Sequence, residues 1–285
     1  MTFSNLKDRV LGSIKIYLYR VLWKVEKNLK SELYLSNSRK KIDMKSNMEF
    51  SKEYIEFLSD LISKPIVLNG PFKGLKYPDS KSFGSSLYPK LIGSYEIELE
   101  KYINKFIEKN YDKIFIIGCA EGYYCNGLGQ KSPNSKIYCF DILNEAVNFC
   151  EDMASLNDNL NVSSIASLFD PQKFNITQEE KVLIICDIEG SEYDLFTQEN
   201  INKFSNIDLL IECHDFYNVG LTQHLKNLFM DSHSAQQVFS IDDLYRPMVF
   251  TSRNFLPEYL TYVEKYKLLK EYRKAQMSWI VLSSK

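Results

Sequence analysis

The sequence predicts an α/β fold, a doubly wound and mostly parallel sheet carrying an N-terminal helical extension. Three observations predict it. Apolar runs of about five residues recur along the chain, long enough for a buried strand and too short for a helix. Helix-period segments alternate with those runs, which is the pattern of βαβ units. Three of the runs end in glycine or acidic residues, around Gly118, Asp187 and Glu212, and open α/β sheets carry their ligands at the carboxyl ends of strands.

The elements follow in chain order. Residues 3–33 read as an amphipathic helix: Leu11, Leu18 and Val25 are spaced by seven, and Lys7, Lys15, Lys24, Lys27 and Lys30 lie on the opposite faces. Such a stripe suits packing on the body, a homodimer contact, or a peripheral membrane contact, for which Trp23 among lysines is well matched. The polar, basic stretch 36–47 predicts a linker, and a short helix is expected near Glu49–Ile62. Asn69-Gly70-Pro71 and Gly74 are turn signals that predict a β-hairpin within 65–78. Residues 1–80 thus form the extension and 81–285 the main domain.

In the main domain a helix over 97–109 leads to a strand over 113–117. A strand at 136–140, a helix at 144–156 and strands at 161–165 and 182–186 follow. Next come a helix at 193–204, a strand at 208–212 and a helix at 221–230. Strands at 237–241 and 278–282 complete a set of seven, with a polar helix at 258–275 inserted between them. The segment after the first glycine turn contains Gly127 and Gly129, each costing about 1 kcal/mol in a helix relative to alanine. A short or frayed helix is expected there.

The bulk properties exclude some classes. The chain has 285 residues, 45% hydrophobic and 25% charged, with a net charge of −2, so the whole chain is no nucleic-acid binder on charge grounds. Residues 1–50 hold 11 Lys/Arg and 5 Asp/Glu, a net of +6, which leaves −8 for the remainder. A basic arm on an acidic body points to an anionic partner for the arm. The six cysteines (119, 125, 139, 150, 186 and 213) match no disulfide framework or zinc spacing. They read as small buried hydrophobes in a reducing, cytoplasmic setting. The apolar stretch 14–23 is broken by Lys15 and Arg20 and is too short to span a bilayer.

The first strand runs into Gly118-Cys119-Ala120-Glu121-Gly122. Its G-x-x-x-G spacing differs from the dinucleotide fingerprint, and the missing Lys-Ser/Thr pair excludes a P-loop. The second strand ends at Asp141, an acid placed to accept hydrogen bonds from ribose hydroxyls or to cap the next helix. The fourth and fifth strands end in Asp187-Ile188-Glu189-Gly190-Ser191-Glu192 and Glu212-Cys213-His214.

In this order the motifs resemble the class I S-adenosylmethionine-dependent methyltransferases, and within them the FkbM-type family, whose signature includes a strand ending D-x-E-G and a later E-x-H. The similarity covers about residues 94–282. It implies a seven-stranded, Rossmann-like sheet and S-adenosyl-L-methionine as cofactor. The cofactor would be held by Tyr95, Glu96, Gly118, Cys119, Ala120, Glu121, Gly122, Asp141 and Asp187. It also implies transfer of the methyl group to an oxygen of a polysaccharide or glycolipid precursor.

Catalysis is less marked in the sequence. A sugar hydroxyl needs a base or a metal to lose its proton. His214 is the candidate base, beside Asp187 and Glu189, which could also join it in holding a divalent metal. The same carboxylates could instead be buried, hydrogen-bonded groups that shape the crevice. Phe216, Tyr217, Tyr245 and Arg246 could line an acceptor pocket, whereas His224 and His233 read as structural. Two other functions fit the pattern less well: a non-catalytic interaction protein on the same scaffold, and a nicotinamide-dependent oxidoreductase.

Overall fold

The computed structural model describes residues 50–285 apart from 174, 175, 178, 252 and 274, with the side chain of Thr251 also left aside. The expected helix over 3–33 and the linker over 36–47 lie outside the described residues. The chain divides into two units, Met1–Phe50 and Ser51–Lys285, and every element below belongs to the second. Among the described residues no helix is long and apolar enough to cross a membrane.

The helices are α1 (Lys52–Ser63), α2 (Leu87–Ile92), α3 (Glu100–Lys109), α4 (Tyr123–Lys131), α5 (Asn144–Leu156), α6 (Glu192–Leu195), α7 (Leu221–Phe229), α8 (Arg246–Thr251) and α9 (Tyr262–Leu269). The strands are β1 (Lys113–Ile117), β2 (Lys136–Asp141), β3 (Val162–Ala166), β4 (Val182–Cys186), β5 (Ile207–Cys213), β6 (His233–Phe239) and β7 (Ser278–Ser284). They form one sheet in the order β3-β2-β1-β4-β5-β7-β6. The first five strands pair in parallel, and β7 runs antiparallel to both β5 and β6. The seven-stranded, mostly parallel sheet implied by the sequence is therefore present.

Its core follows from the strand sequences. Every residue of β4 and β5 is buried, as expected for central strands covered on both faces. Helices cover the sheet with apolar stripes: Tyr102, Ile103 and Phe106 on α3, Ala146, Val147, Cys150 and Met153 on α5, and Leu221, Leu225 and Phe229 on α7. The strand order reverses between β1 and β4, the switch point where such sheets open a crevice.

Several elements differ from the expectation, each for a local reason. The helix expected over 193–204 is one turn, α6, followed by a separate 3-10 turn at Ile201–Phe204. Phe196 adopts an extended conformation. Asn200 accepts from the Thr197 N–H at 2.9 Å and donates to the Leu195 carbonyl at 2.8 Å, a side-chain turn that displaces helix bonding. Strand β6 begins four residues earlier than 237 because Ser234, Ala235 and Gln236 are exposed on an edge and leave no apolar signal. The helix expected over 258–275 is only α9, opened by a capping box between Thr261 and Glu264 and closed where Lys270 turns extended. The hairpin expected within 65–78 is short: one antiparallel bridge, Ile66 to Lys76, flanked by the Val67 N–H to Leu75 carbonyl and Tyr77 N–H to Pro65 carbonyl bonds, both 2.8 Å. Helices α2 and α8 were not expected.

Residues 51–80, grouped with the extension in the sequence, pack on the body. Ser51 donates to Glu264 from its N–H and its hydroxyl, at 2.9 and 2.7 Å. Phe72 lies over α4, and this explains the two glycines there. A Cβ on Gly127 would lie 2.3 Å from the Phe72 ring, and one on Gly129 would lie 2.6 Å from Val162 Cγ2. Helix α4 is nine residues long rather than frayed, and its glycines supply room for close packing.

Candidate active site

Strand ends β1, β2 and β4 meet around one turn. Gly118 has φ +85°, and its Cα faces the Asp187 backbone so closely that a Cβ would lie 1.7 Å from the Asp187 carbonyl oxygen. The Ala120 N–H donates to Asp141 Oδ2 at 3.0 Å, and Leu143 N–H donates to Asp141 Oδ1 at 2.9 Å. Asp141 therefore holds the N-cap residue of the following helix, Leu143, and braces the β1 turn at once. Its remaining lone pairs stay available to a ligand.

Backbone strain gathers at the same place. Seven described residues other than glycine have positive φ; four of them are neither Asn nor Asp: Glu96, Ala120, Glu189 and Tyr272. Ala120 and Glu189 lie on the turns after β1 and β4. Glu96 pairs with Arg273, and Tyr272 immediately precedes it in the chain. Such conformations cost about 1–3 kcal/mol each and persist where the surrounding structure over-determines them.

His214 is 3% exposed. Its Nδ1 lies 3.0 Å from Glu192 Oε1, and its Nε2 lies 3.5 Å from Asp187 Oδ1 and 3.9 Å from Glu189 Oε2. Glu192 also accepts from the Ile188 N–H at 3.1 Å and thereby fixes the imidazole. Burial alone would lower the His214 pKa, but the Glu192 hydrogen bond and the charges of Asp187, Glu192 and Glu212 outweigh it and push it up to about 10. His214 is therefore an imidazolium at neutral pH. Asp187 and Glu212 are both raised, first by burial; neighbouring acids add to this, and His214, with Arg273 for Glu212, opposes it.

A second group of charges adjoins the first. Arg273 pairs with Glu96 at 2.9 Å, Glu212 at 2.7 Å and Glu271 at 2.8 Å. Arg246 pairs with Glu98 at 3.0 Å and Glu271 at 2.7 Å. The other Glu96 oxygen accepts from the Tyr124 hydroxyl. Arg246 is fully buried, so the expectation that it lines an acceptor pocket is corrected: its guanidinium is enclosed by acids. Glu121 is also fully buried, and its carboxylate accepts from Lys90, Ser82 and the Phe83 N–H, so it ties the turn to the chain ahead of α2. Tyr95 stacks edge-on against Tyr123 beneath Lys90. Cys119 is buried under the turn.

Phe216 and Tyr217 stay half-exposed and stand 6.0 and 6.1 Å from the His214 ring, while Tyr245 is exposed. The other two histidines make separate contacts. His224 stacks on Tyr193 at 4.3 Å. His233 bonds the Ile207 carbonyl at 2.7 Å, with burial lowering its pKa. Ligand atoms of Asp187, Glu212 and His214 lie within 4.8 Å of one another, so these three could reach one divalent cation. Arg273 already pairs with Glu212, and His214 would first have to lose its proton.

No protein-family model and no curated protein matches the sequence. Among solved structures the chain is similar to a precorrin-6y C5,15-methyltransferase from Geobacter metallireducens GS-15, with 12% identity over 65% of this chain and 89% of that one and a TM-score of 0.39. It is similar to the bifunctional kinase-methyltransferase WbdD, with 11% identity over 66% of this chain, 38% of that one and a TM-score of 0.41. It is also similar to coclaurine N-methyltransferase bound to N-methylheliamine and SAH, with 13% identity over 91% and 94% and a TM-score of 0.42. Likeness at this level assigns neither reaction nor ligand, which rest on the side chains themselves.

The charge state of His214 gives the first prediction. Its folded pKa of about 10 exceeds its ordinary 6.5, so the folded state keeps a proton that the unfolded state releases. The stabilisation is complete below about pH 6.5 and is lost as pH rises towards 10. Urea midpoints of the wild-type protein are expected to fall across that window, and His214→Gln is expected to flatten the fall. Equal slopes in both proteins would contradict the assignment.

Proposed function

We propose that this protein is an S-adenosylmethionine-dependent methyltransferase of the FkbM type, acting on a hydroxyl oxygen of a carbohydrate or glycolipid precursor. The observation that carries the reading is the excess of acid at the converging strand ends. The side chains of Glu96, Glu98, Glu192, Glu212 and Glu271 are nearly or fully buried, and Asp187 and Glu189 are half-exposed beside them. Among the described residues three cationic side chains pair with them: Arg246, Arg273 and His214. A low-dielectric crevice with surplus negative charge favours a cationic ligand. The donor carries a sulfonium and an ammonium group near its reacting end. A nicotinamide dinucleotide would instead bring an anionic pyrophosphate to an acid-lined turn, and the glycine spacing already argues against it.

The donor supplies an electrophilic methyl group with a good leaving group, so the protein's task is alignment and proton removal. On this reading the β1 turn would cradle the methionine end of the donor beside Asp187 and Glu96, and Asp141 would accept from its ribose hydroxyls. His214 holds a proton while the site is empty of cations. A positive charge among these acids lowers its affinity for that proton and frees its Nε2, on the side of Asp187 and Glu189, to accept one from a hydroxyl. Glu192 keeps the ring oriented throughout. Half-exposed Phe216 and Tyr217 stand beside the His214 ring and offer aromatic surface on which a sugar ring can lie.

Calorimetric titration with S-adenosylhomocysteine and with NAD separates the readings. Binding of the first and not the second is expected; the reverse would overturn the proposal. His214→Ala is expected to lower methyl transfer to a glycan acceptor about 100-fold or more while leaving S-adenosylhomocysteine bound. Donor binding without methylation of any glycan would favour the interaction-protein reading.

A further inference from the structure

Four of the six cysteines converge beneath the β1 turn. They come from four elements: Cys119 from the turn, Cys125 from α4, Cys139 from β2 and Cys150 from α5. The sulfurs of Cys119, Cys125 and Cys150 all lie within 4.8 Å of one another, and each of these residues is buried. Cys139 touches Cys125 and Cys150 from the sheet side. The other two cysteines, Cys186 and Cys213, lie apart on β4 and β5.

The surroundings hold the sulfurs together. A Cβ on Gly122 would lie 2.5 Å from Cys150 Sγ, so glycine leaves that space to the sulfur. Asn126 Nδ2 donates to Cys150 Sγ at 3.6 Å and to the Cys150 carbonyl at 3.1 Å. Three thiolates around one ion with metal–sulfur bonds of about 2.3 Å sit about 4.0 Å apart. The observed cluster closes to that spacing with shifts of under about 1 Å.

We propose that Cys119, Cys125 and Cys150 form a binding site for a soft, thiophilic cation of the Zn(II) or Cu(I) class, with Cys139 at hand as a fourth sulfur. Soft thiolate ligands select such ions. On binding, each thiol releases its proton to solvent and donates a sulfur lone pair to the cation; no electron is transferred. The bound ion would pin the β1 turn to α4 and α5. The inference rests on the sulfur geometry alone and stands whether or not the protein transfers methyl groups.

Anaerobic titration of the reduced, full-length protein with Cd(II) tests it, read by the ultraviolet sulfur-to-metal charge-transfer band. One saturating equivalent and a rise in melting temperature are expected. Cys125→Ala and Cys150→Ala are expected to lose the band, and Cys186→Ala to keep it. If the α4 or α5 variants fail to fold, Cys119→Ser on the turn is expected to weaken Cd(II) binding by more than the roughly tenfold that even outer-shell changes cost. No band in the folded wild type, or a band that survives Cys125→Ala, Cys150→Ala and Cys119→Ser, would overturn the site.

Discussion

Replacing Gly118 with alanine is expected to abolish donor binding and to destabilise the fold by about 2–5 kcal/mol. Two separate costs add. The residue has φ +85°, a left-handed conformation that costs a residue with a Cβ about 1–2 kcal/mol. The new methyl would also lie 1.7 Å from the Asp187 carbonyl oxygen and 2.8 Å from the Asp187 carbonyl carbon. Those are backbone atoms at the tip of β4, so the strand end itself must move, and overpacking of this kind costs about 1–3 kcal/mol or more. Movement there separates the β1 turn from Asp187, the contact that defines the crevice. Gly84→Ala isolates the first cost. It also has positive φ, +78°, but its Cβ would meet nothing within 4 Å. Urea unfolding of both variants, with S-adenosylhomocysteine titration of each, should show Gly118→Ala clearly the more damaged and Gly84→Ala still binding. Similar losses in the two would mean that backbone strain, and not the β1–β4 approach, makes glycine necessary at 118.

That close approach was partly legible in the sequence. Gly118 and Asp187 each mark the end of an apolar run, and a parallel sheet with those runs adjacent brings their tips together. The central strands were readable for the same reason: β1, β4 and β5 are covered on both faces, so burial writes itself as uninterrupted apolar sequence. Edge strand β6 lacked that mark because most of its residues face solvent or are only half-covered. The partners of the acids were not readable at all. Arg273 is 177 residues from Glu96 and 61 from Glu212, and it falls in a polar segment that resembled a surface helix. Lys90 and Ser82 gave no sign that they would enclose Glu121, because which cation meets which acid is decided by tertiary approach. Glu192 was visible as a third acid of its segment, but its hold on His214 joins residues 22 apart in sequence and is again decided by tertiary approach. Four cysteines from four elements meeting at one point likewise has no signature in spacing, since their separations in sequence follow the fold and not a ligand pattern.

Arg273→Ala should be the most destabilising change among the charged residues, costing about 3–5 kcal/mol at neutral pH, as expected when one partner of a buried ion pair is removed. Arg273 is one cation shared by Glu96, Glu212 and Glu271, and its guanidinium also lies over the Trp279 ring with 4.7 Å from Cζ to the ring centroid. Arg246 cannot replace it, being already engaged by Glu98 and Glu271. Lysine at 273 should restore little, because a single ammonium does not reproduce the planar fork that meets three carboxylates. The loss should also depend on pH in a definite sense. Burial raises the Glu271 pKa to about 7 even with Arg273 and Arg246 opposing it, and Glu98 and Glu96 push the same way as burial. Its folded pKa thus exceeds its ordinary 4.5, so the folded state binds a proton that the unfolded state has lost, and this group weakens the fold as pH rises from about 4.5 through 7. Without Arg273 that window extends further upward, and the rise that burial already gives Glu212 loses the opposition of Arg273. The penalty of Arg273→Ala, from urea unfolding, is therefore expected to be smaller at pH 5 than at pH 8. An equal penalty at both would place the lost energy in the packing on Trp279 and not in charge. A penalty under about 1 kcal/mol, the value of a solvent-exposed pair, would mean that these acids are far better hydrated than their burial indicates.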